Sequence, residues 1–135
     1  MEISNYLKIK ETLPKNVKLL AVSKGFPYEL IQRLYDFGQN EFGESKFQEA
    51  YEKQIVLKDL KHLKWHFVGK IQSNKIRKIV NHFDYIHSVD SIKNLLKISN
   101  AANEIGKTQK IMIQIKLAND PFKGGMQSDD LFEAW

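Results

Sequence analysis

The chain has 135 residues, of which 42% are hydrophobic and 27% charged, and it contains no cysteine. That balance is the balance of a folded globular chain large enough for one domain with a real core, and it rules out disulfides, thiolate metal sites and cysteine nucleophiles. A formal net charge of +5 favours anionic partners in general (phosphate ligands, acidic lipids, nucleic acid) without choosing among them, and no apolar run approaches the roughly 18 residues that a membrane-spanning helix needs.

The first stretch, "MEISNYLKIKETL", carries Glu2 and Glu11 and lacks an apolar core with a small-residue cleavage site. It reads as a helix over about residues 1–13 rather than a signal or transit peptide, which makes the cytoplasm the expected location. Residues 17–22 follow as an apolar strand, ending at Ser23-Lys24-Gly25. In "PYELIQRLYDFG", Leu30, Ile31, Leu34 and Phe37 recur at helical spacing, with Pro27 suited to the first turn and Gly38 to the end. A second short strand is expected at residues 40–43. The helix after it places Phe47, Ala50, Tyr51 and Leu57 on one stripe. Residues 65–68 form a third strand, and "SNKIRKIVNHF" then opens on a Ser/Asn cap and buries Ile76, Ile79, Val80 and Phe83. The fourth strand spans residues 85–89. A helix follows Asp90, with Ile92, Leu95, Leu96 and Ile98 apolar and Gly106 as its stop. Residues 111–117 make a fifth strand.

Five strand-helix units with short connections predict an α/β fold with parallel strands, whose near-continuous apolar runs suit a sheet covered on both faces. An open dinucleotide-binding sheet would carry a G-x-G-x-x-G turn after its first strand, but the turn here is "SKGFP". The strands end instead on polar residues: Lys24, Glu44, the run from Gly69 to Gln72, His87-Ser88 and Lys116. A (β/α)8 barrel of the TIM type builds its site that way, at the carboxyl ends of successive strands. Such a barrel usually takes about 250 residues, so this chain is expected to hold only about the first five βα units, as a single partial barrel domain.

Lys24 is the leading candidate for chemistry. Ala21, Val22 and Ser23 before it predict small, apolar surroundings that disfavour an ammonium, and a neutral amine condenses with an aldehyde to a Schiff base. The bland alternative is a solvated lysine at a strand end. "WHFVGKIQSNK" (residues 65–75) offers a close turn at Gly69 and amide groups on Gln72 and Asn74, or simply a capped turn. His66 reads as a satisfied core histidine and His87 as the better candidate for lining a site. No pair among the four histidines has metal-ligand spacing, so no metal is expected. Lys70, Lys75, Arg77 and Lys78 form a basic set without the interleaved aromatic rings of base stacking, so nucleic acid is not the expected partner. "KLANDPFKGGM" (residues 116–126) combines turn chemistry with Lys116 and Lys123, both within reach of a barrel mouth.

Taken together, "LLAVSK", "GQNEFGES", "WHFVGKIQSNK", "FDYIHSVDS" and "IQIKLANDPFKGG" resemble the successive signature blocks of the pyridoxal phosphate homeostasis protein family, also called the proline synthase co-transcribed family. The resemblance runs from about residue 15 to the end of the chain. It implies a (β/α)8 barrel like the N-terminal domain of alanine racemase, holding pyridoxal 5′-phosphate (PLP) as a Schiff base on Lys24. It further implies cofactor contacts from Ser45, Gln72, Asn74, His87 and Lys123. Ser45 replaces an asparagine that faces the cofactor in the family, and Lys116 stands where many members have asparagine. In the family the phosphate is held by the last strands, so this chain resembles a C-terminally truncated member.

The function so implied is PLP binding in intracellular vitamin B6 homeostasis, without strong catalysis, with apo PLP-dependent enzymes as candidate recipients of the cofactor. Two alternatives stand beside it. One is a PLP-dependent enzyme of the alanine racemase fold, which would need an acid/base tyrosine from a second domain. Here Tyr6, Tyr28, Tyr35 and Tyr51 fall on helices and Tyr85 begins a strand. The other is a fragment of the family without function.

Overall fold

The computed structural model describes residues 3–115. Helix α1 (Ile3–Thr12) leads into strand β1 (Ala21–Val22), followed by α2 (Tyr28–Asp36), β2 (Glu41–Glu44), α3 (Phe47–Val56), β3 (Lys64–Phe67), α4 (Ile76–His82), β4 (Tyr85–Val89), α5 (Ile92–Glu104) and β5 (Lys110–Ile113). The five strands make one sheet in the order β1-β2-β3-β4-β5, and every neighbouring pair is parallel. Parallel neighbours joined through a helix each time are the βαβ unit repeated, as the sequence predicts.

Register decides which face each residue serves. Ala21 pairs with Phe42 and Phe42 with Trp65, while two residues further on Phe67 pairs with Ile86 and Ile86 with Ile111. This is the helix-facing side. Phe42, Trp65, Phe67 and Ile86 are buried there with Ile31 and Leu34 of α2, Phe47 and Ala50 of α3, Ile79 and Val80 of α4, and Ile98 and Ala101 of α5. Val22, Gly43, His66 and Tyr85 form the row on the opposite side. There Val22 and Met112 are about half exposed, at 47% and 50%. Within the described residues the sheet is therefore covered on one face, whereas the apolar strands suggested two.

The element boundaries differ from the sequence reading where side chains compete for backbone groups. The β1 ladder is only two residues long because the Leu19 carbonyl accepts from the side-chain amide of Gln39 (2.7 Å) instead of from a strand. The Ser73 cap expected for α4 is not made. Ser73–Lys75 is a 3-10 turn, and Lys75 precedes α4 without a side-chain cap bond. At α5 the cap is made, with Ser91 Oγ accepting from the Asn94 N–H at 3.1 Å. Gly38 and Gly106 follow α2 and α5 with φ of +97° and +65°, the left-handed geometry that ends helices.

Candidate functional site

Lys24 lies in a tight turn directly after β1. The Phe26 N–H donates to the Ser23 carbonyl at 3.0 Å, which makes Lys24 and Gly25 the two central turn residues, and Gly25 has φ of +77°. A left-handed glycine in the second central position is what a type II turn requires. Lys24 itself is exposed. The desolvated surroundings inferred from Ala21-Val22-Ser23 are not found, because Val22 stands on the open face of the sheet and only Ser23 is buried.

Behind the turn sits a buried ionic cluster that the sequence did not announce. Glu44, the last residue of β2, points away from the strand ends and is fully buried against α3. Its carboxylate accepts from the Ser23 hydroxyl and from Lys53 Nζ at 2.9 and 3.1 Å. Lys53 also donates to the Ser23 carbonyl (3.0 Å) and to Glu49 Oε2 (2.7 Å), and the same Glu49 oxygen accepts the Gly25 N–H at 2.7 Å. Burial pushes the Glu44 carboxyl above its ordinary value, against the opposing pull of Ser23 and Lys53. The Lys53 hydrogen bond, helped by the Gly25 N–H, holds Glu49 below its ordinary value.

At the ends of β2 and β3 the two chains approach closely. A Cβ on Gly69 would lie 2.1 Å from the Ser45 carbonyl oxygen, so only glycine fits. Ser45 and Gln72 line one cavity together with Lys46, Lys70 and Lys75, and no carboxylate belongs to that lining. Asn74 belongs elsewhere. It lines a hollow between α4 and α5 with Arg77, Lys97 and Glu104, so the structure does not bring it to Ser45 and Gln72. Lys123 and Lys116 lie outside the described residues.

His87 faces the open side of the sheet. Its Nε2 is 2.8 Å from His66 Nδ1, and His66 Nε2 is 3.1 Å from Glu41 Oε1. With Glu41 accepting the Nε2 proton of His66, Nδ1 is free to accept from His87. Tyr85 stacks on His66 at 4.3 Å between ring centroids. His66 is thus a buried histidine with both nitrogens partnered. Among the described residues, no three His, Cys, Asp or Glu side chains gather as a metal site would need, and no helix is long and apolar enough to cross a membrane.

Burial, and then the electrostatic influence of the adjacent His66 ring, lowers the His87 pKa from its ordinary value. The fold therefore prefers neutral His87. Stability is complete above the unfolded value of about 6.5 and is lost as pH falls from there through the folded value. His87→Gln is expected to flatten this acid-side loss, read as a smaller drop in urea midpoint between about pH 7 and about pH 5. Identical slopes in the two chains would contradict it.

The turn, the strand-end cavity and the order of the strands can be set beside known proteins. The family described as alanine racemase, N-terminal domain, matches residues 3–135. This chain belongs to that family. Its curated relatives include the pyridoxal phosphate homeostasis protein of Synechocystis sp., 41% identical over 128 residues, a match covering 95% of this chain and 59% of that protein. The protein of the same name from Pseudomonas aeruginosa is 39% identical over 118 residues, covering 87% and 51%. The resemblance read from the five sequence blocks is therefore upheld, and the chain spans little more than half the length of these relatives. Among solved structures, PipY of Synechococcus elongatus with PLP bound superposes with a TM-score of 0.89 at 44% identity, over 95% of this chain and 59% of PipY. An alanine racemase of Clostridium difficile, 17% identical with a TM-score of 0.74, shares the fold over 98% of this chain and 36% of its own.

Proposed function

We propose that this chain binds PLP through the Lys24 amine and serves intracellular vitamin B6 homeostasis as a binding protein, with apo PLP-dependent enzymes as recipients of the cofactor. The observation that carries this reading is Lys24 itself, an exposed primary amine in a turn fixed at the carboxyl end of a parallel strand. The likeness to PipY, a protein solved with PLP bound, supports it. The donor set fits the cofactor's chemistry: PLP brings an aldehyde and an anionic phosphate. Lys24 offers an amine in its turn after β1. A separate cavity that Lys24 does not line offers a hydroxyl on Ser45, a carboxamide on Gln72 and the ammonium groups of Lys46, Lys70 and Lys75 beside Phe47, Phe67 and Ile79. Condensation of the Lys24 amine with the aldehyde makes one C=N bond and releases one water. Ser45 and Gln72 follow the next two strands at the same end, and His87 faces the open side of β4; these three are proposed to line the cofactor.

An absorbance spectrum of the chain mixed with PLP and then desalted tests the reading. A retained band at the visible edge that is abolished in Lys24→Ala supports it. No band, or an equal band in the variant, would remove Lys24 from the site.

A further inference from the structure

We infer that Lys53, with Glu44 and Glu49, is a positioning residue that aims Lys24 by holding the peptide groups on either side of it. The inference rests on the reading of Lys24 as the cofactor amine.

No side-chain hydrogen bond or ion pair fixes the Lys24 amine among the described residues, so its direction is set by the turn that carries it. Three polar groups flanking Lys24 in that turn are tied to one cluster. On the N-terminal side, the Ser23 carbonyl accepts from Lys53 Nζ at 3.0 Å and the Ser23 hydroxyl donates to Glu44. On the C-terminal side, the Gly25 N–H donates to Glu49 Oε2 at 2.7 Å, and that oxygen is itself 2.7 Å from Lys53 Nζ. A single ammonium, buried on α3, thus reaches both sides of Lys24, directly on one and through one carboxylate on the other.

The chemistry of this cluster argues against a role in stability alone. Lys53 occupies a buried position on α3 with Phe47 and Ala50, where an apolar side chain would pack at no desolvation cost. Buried ion pairs commonly match or fall short of apolar replacements in stability. What an apolar residue could not supply is an ammonium whose three N–H donors serve the Ser23 carbonyl and two carboxylates at once. The neighbouring strand supplies the remaining restraint, with the Ser23 N–H donating to the Gly43 carbonyl at 2.9 Å.

Two variants of the 135-residue chain test this. Glu49→Gln removes the charge that receives the Gly25 N–H, at a partly exposed site that leaves the core untouched. Glu44→Gln combined with Lys53→Met removes the ion pair as a unit, so neither charge is left buried alone. The first readout is amide hydrogen exchange by NMR. Exchange at Gly25 is expected to rise about tenfold or more, as local opening replaces a held turn, while Phe67 in β3 and Ile86 in β4 keep their protection. The second readout is borohydride trapping of PLP with peptide mapping. The share of label on Lys24 is expected to fall in both variants and to spread to other lysines.

Unchanged Gly25 exchange with an unchanged Lys24 share would overturn the inference. Protection lost evenly across β3 and β4 would overturn it too, since Lys53 would then serve only the fold. If the wild-type chain traps no PLP on Lys24, the cofactor reading itself fails. Exchange at Gly25 then decides the clamp alone, upheld by a rise and overturned by none.

Discussion

Gly69→Ala is expected to destabilise the chain by about 3 kcal/mol or more, at or beyond the upper end of what overpacking usually costs. The added methyl would sit 2.1 Å from the Ser45 carbonyl oxygen and 2.7 Å from its carbonyl carbon and Cα. Those are backbone atoms, so no rotamer change relieves the clash. The strands themselves must part. They are held together where they would have to open by the Val68 N–H, which donates to the Glu44 carbonyl at 2.9 Å, and Gly69 is held from its other side by the Ser88 hydroxyl of β4, which donates to its carbonyl. Gly43→Ala is the matched control. Its methyl would meet only side-chain carbons of Val68, Val22 and Leu20, at 3.4 to 3.6 Å, an ordinary packing distance. The two substitutions add the same atom one strand apart, so urea midpoints separate the close-approach explanation from a general intolerance of side chains on this sheet. Comparable small shifts would show that the β2 and β3 ends give way easily, and Ser45 would then not be fixed by its neighbour.

Much of this fold was legible because it rests on periodicity. The strand expected at residues 85–89 is β4 with the same bounds, and Leu30, Ile31 and Leu34 are the buried face of α2, as their spacing requires. Glycine after a helix was equally readable at Gly38 and Gly106, where the backbone turns left-handed. Lys24 was singled out by its place after an apolar strand, but its surroundings were misjudged. Sequence neighbours do not report which face of a sheet a residue stands on, and Val22 stands on the open one. Lys53 was missed for a different reason. A lysine in an amphipathic helix ordinarily marks the solvent side, and only the partner Glu44, nine residues earlier, reverses that rule. Glu44 was read as a strand-end group facing a site because it ends β2, yet alternation turns it towards α3. The signal available in the sequence was the set Glu44, Glu49 and Lys53, with acid and base four apart on one helix, a spacing that pairs side chains.

Lys53→Met alone is expected to cost about 3–5 kcal/mol, the usual penalty for leaving one charge of a buried pair without its partner. Glu44 is fully buried, and without Lys53 it keeps the Ser23 hydroxyl as its one remaining donor. Burial already raises its pKa while Lys53 opposes the rise, so losing Lys53 raises it further. A carboxyl whose folded pKa lies above its unfolded value stabilises the fold when protonated. The deficit of Lys53→Met should therefore shrink as pH falls through that raised value, an effect absent once residue 44 cannot ionise. Adding Glu44→Gln to Lys53→Met should recover most of the loss at neutral pH and abolish this acid-side gain. Urea midpoints of the four chains, at neutral and mildly acidic pH, close the cycle and give the coupling between the two residues directly. Additive losses with no pH dependence would mean that solvent reaches Glu44 when Lys53 is gone. Recovery in the double variant would have a second consequence. The ion pair would then be dispensable for folding, and its hold on the Lys24 turn, through the Ser23 carbonyl and through Glu49, would be left as the property that an apolar pair cannot replace.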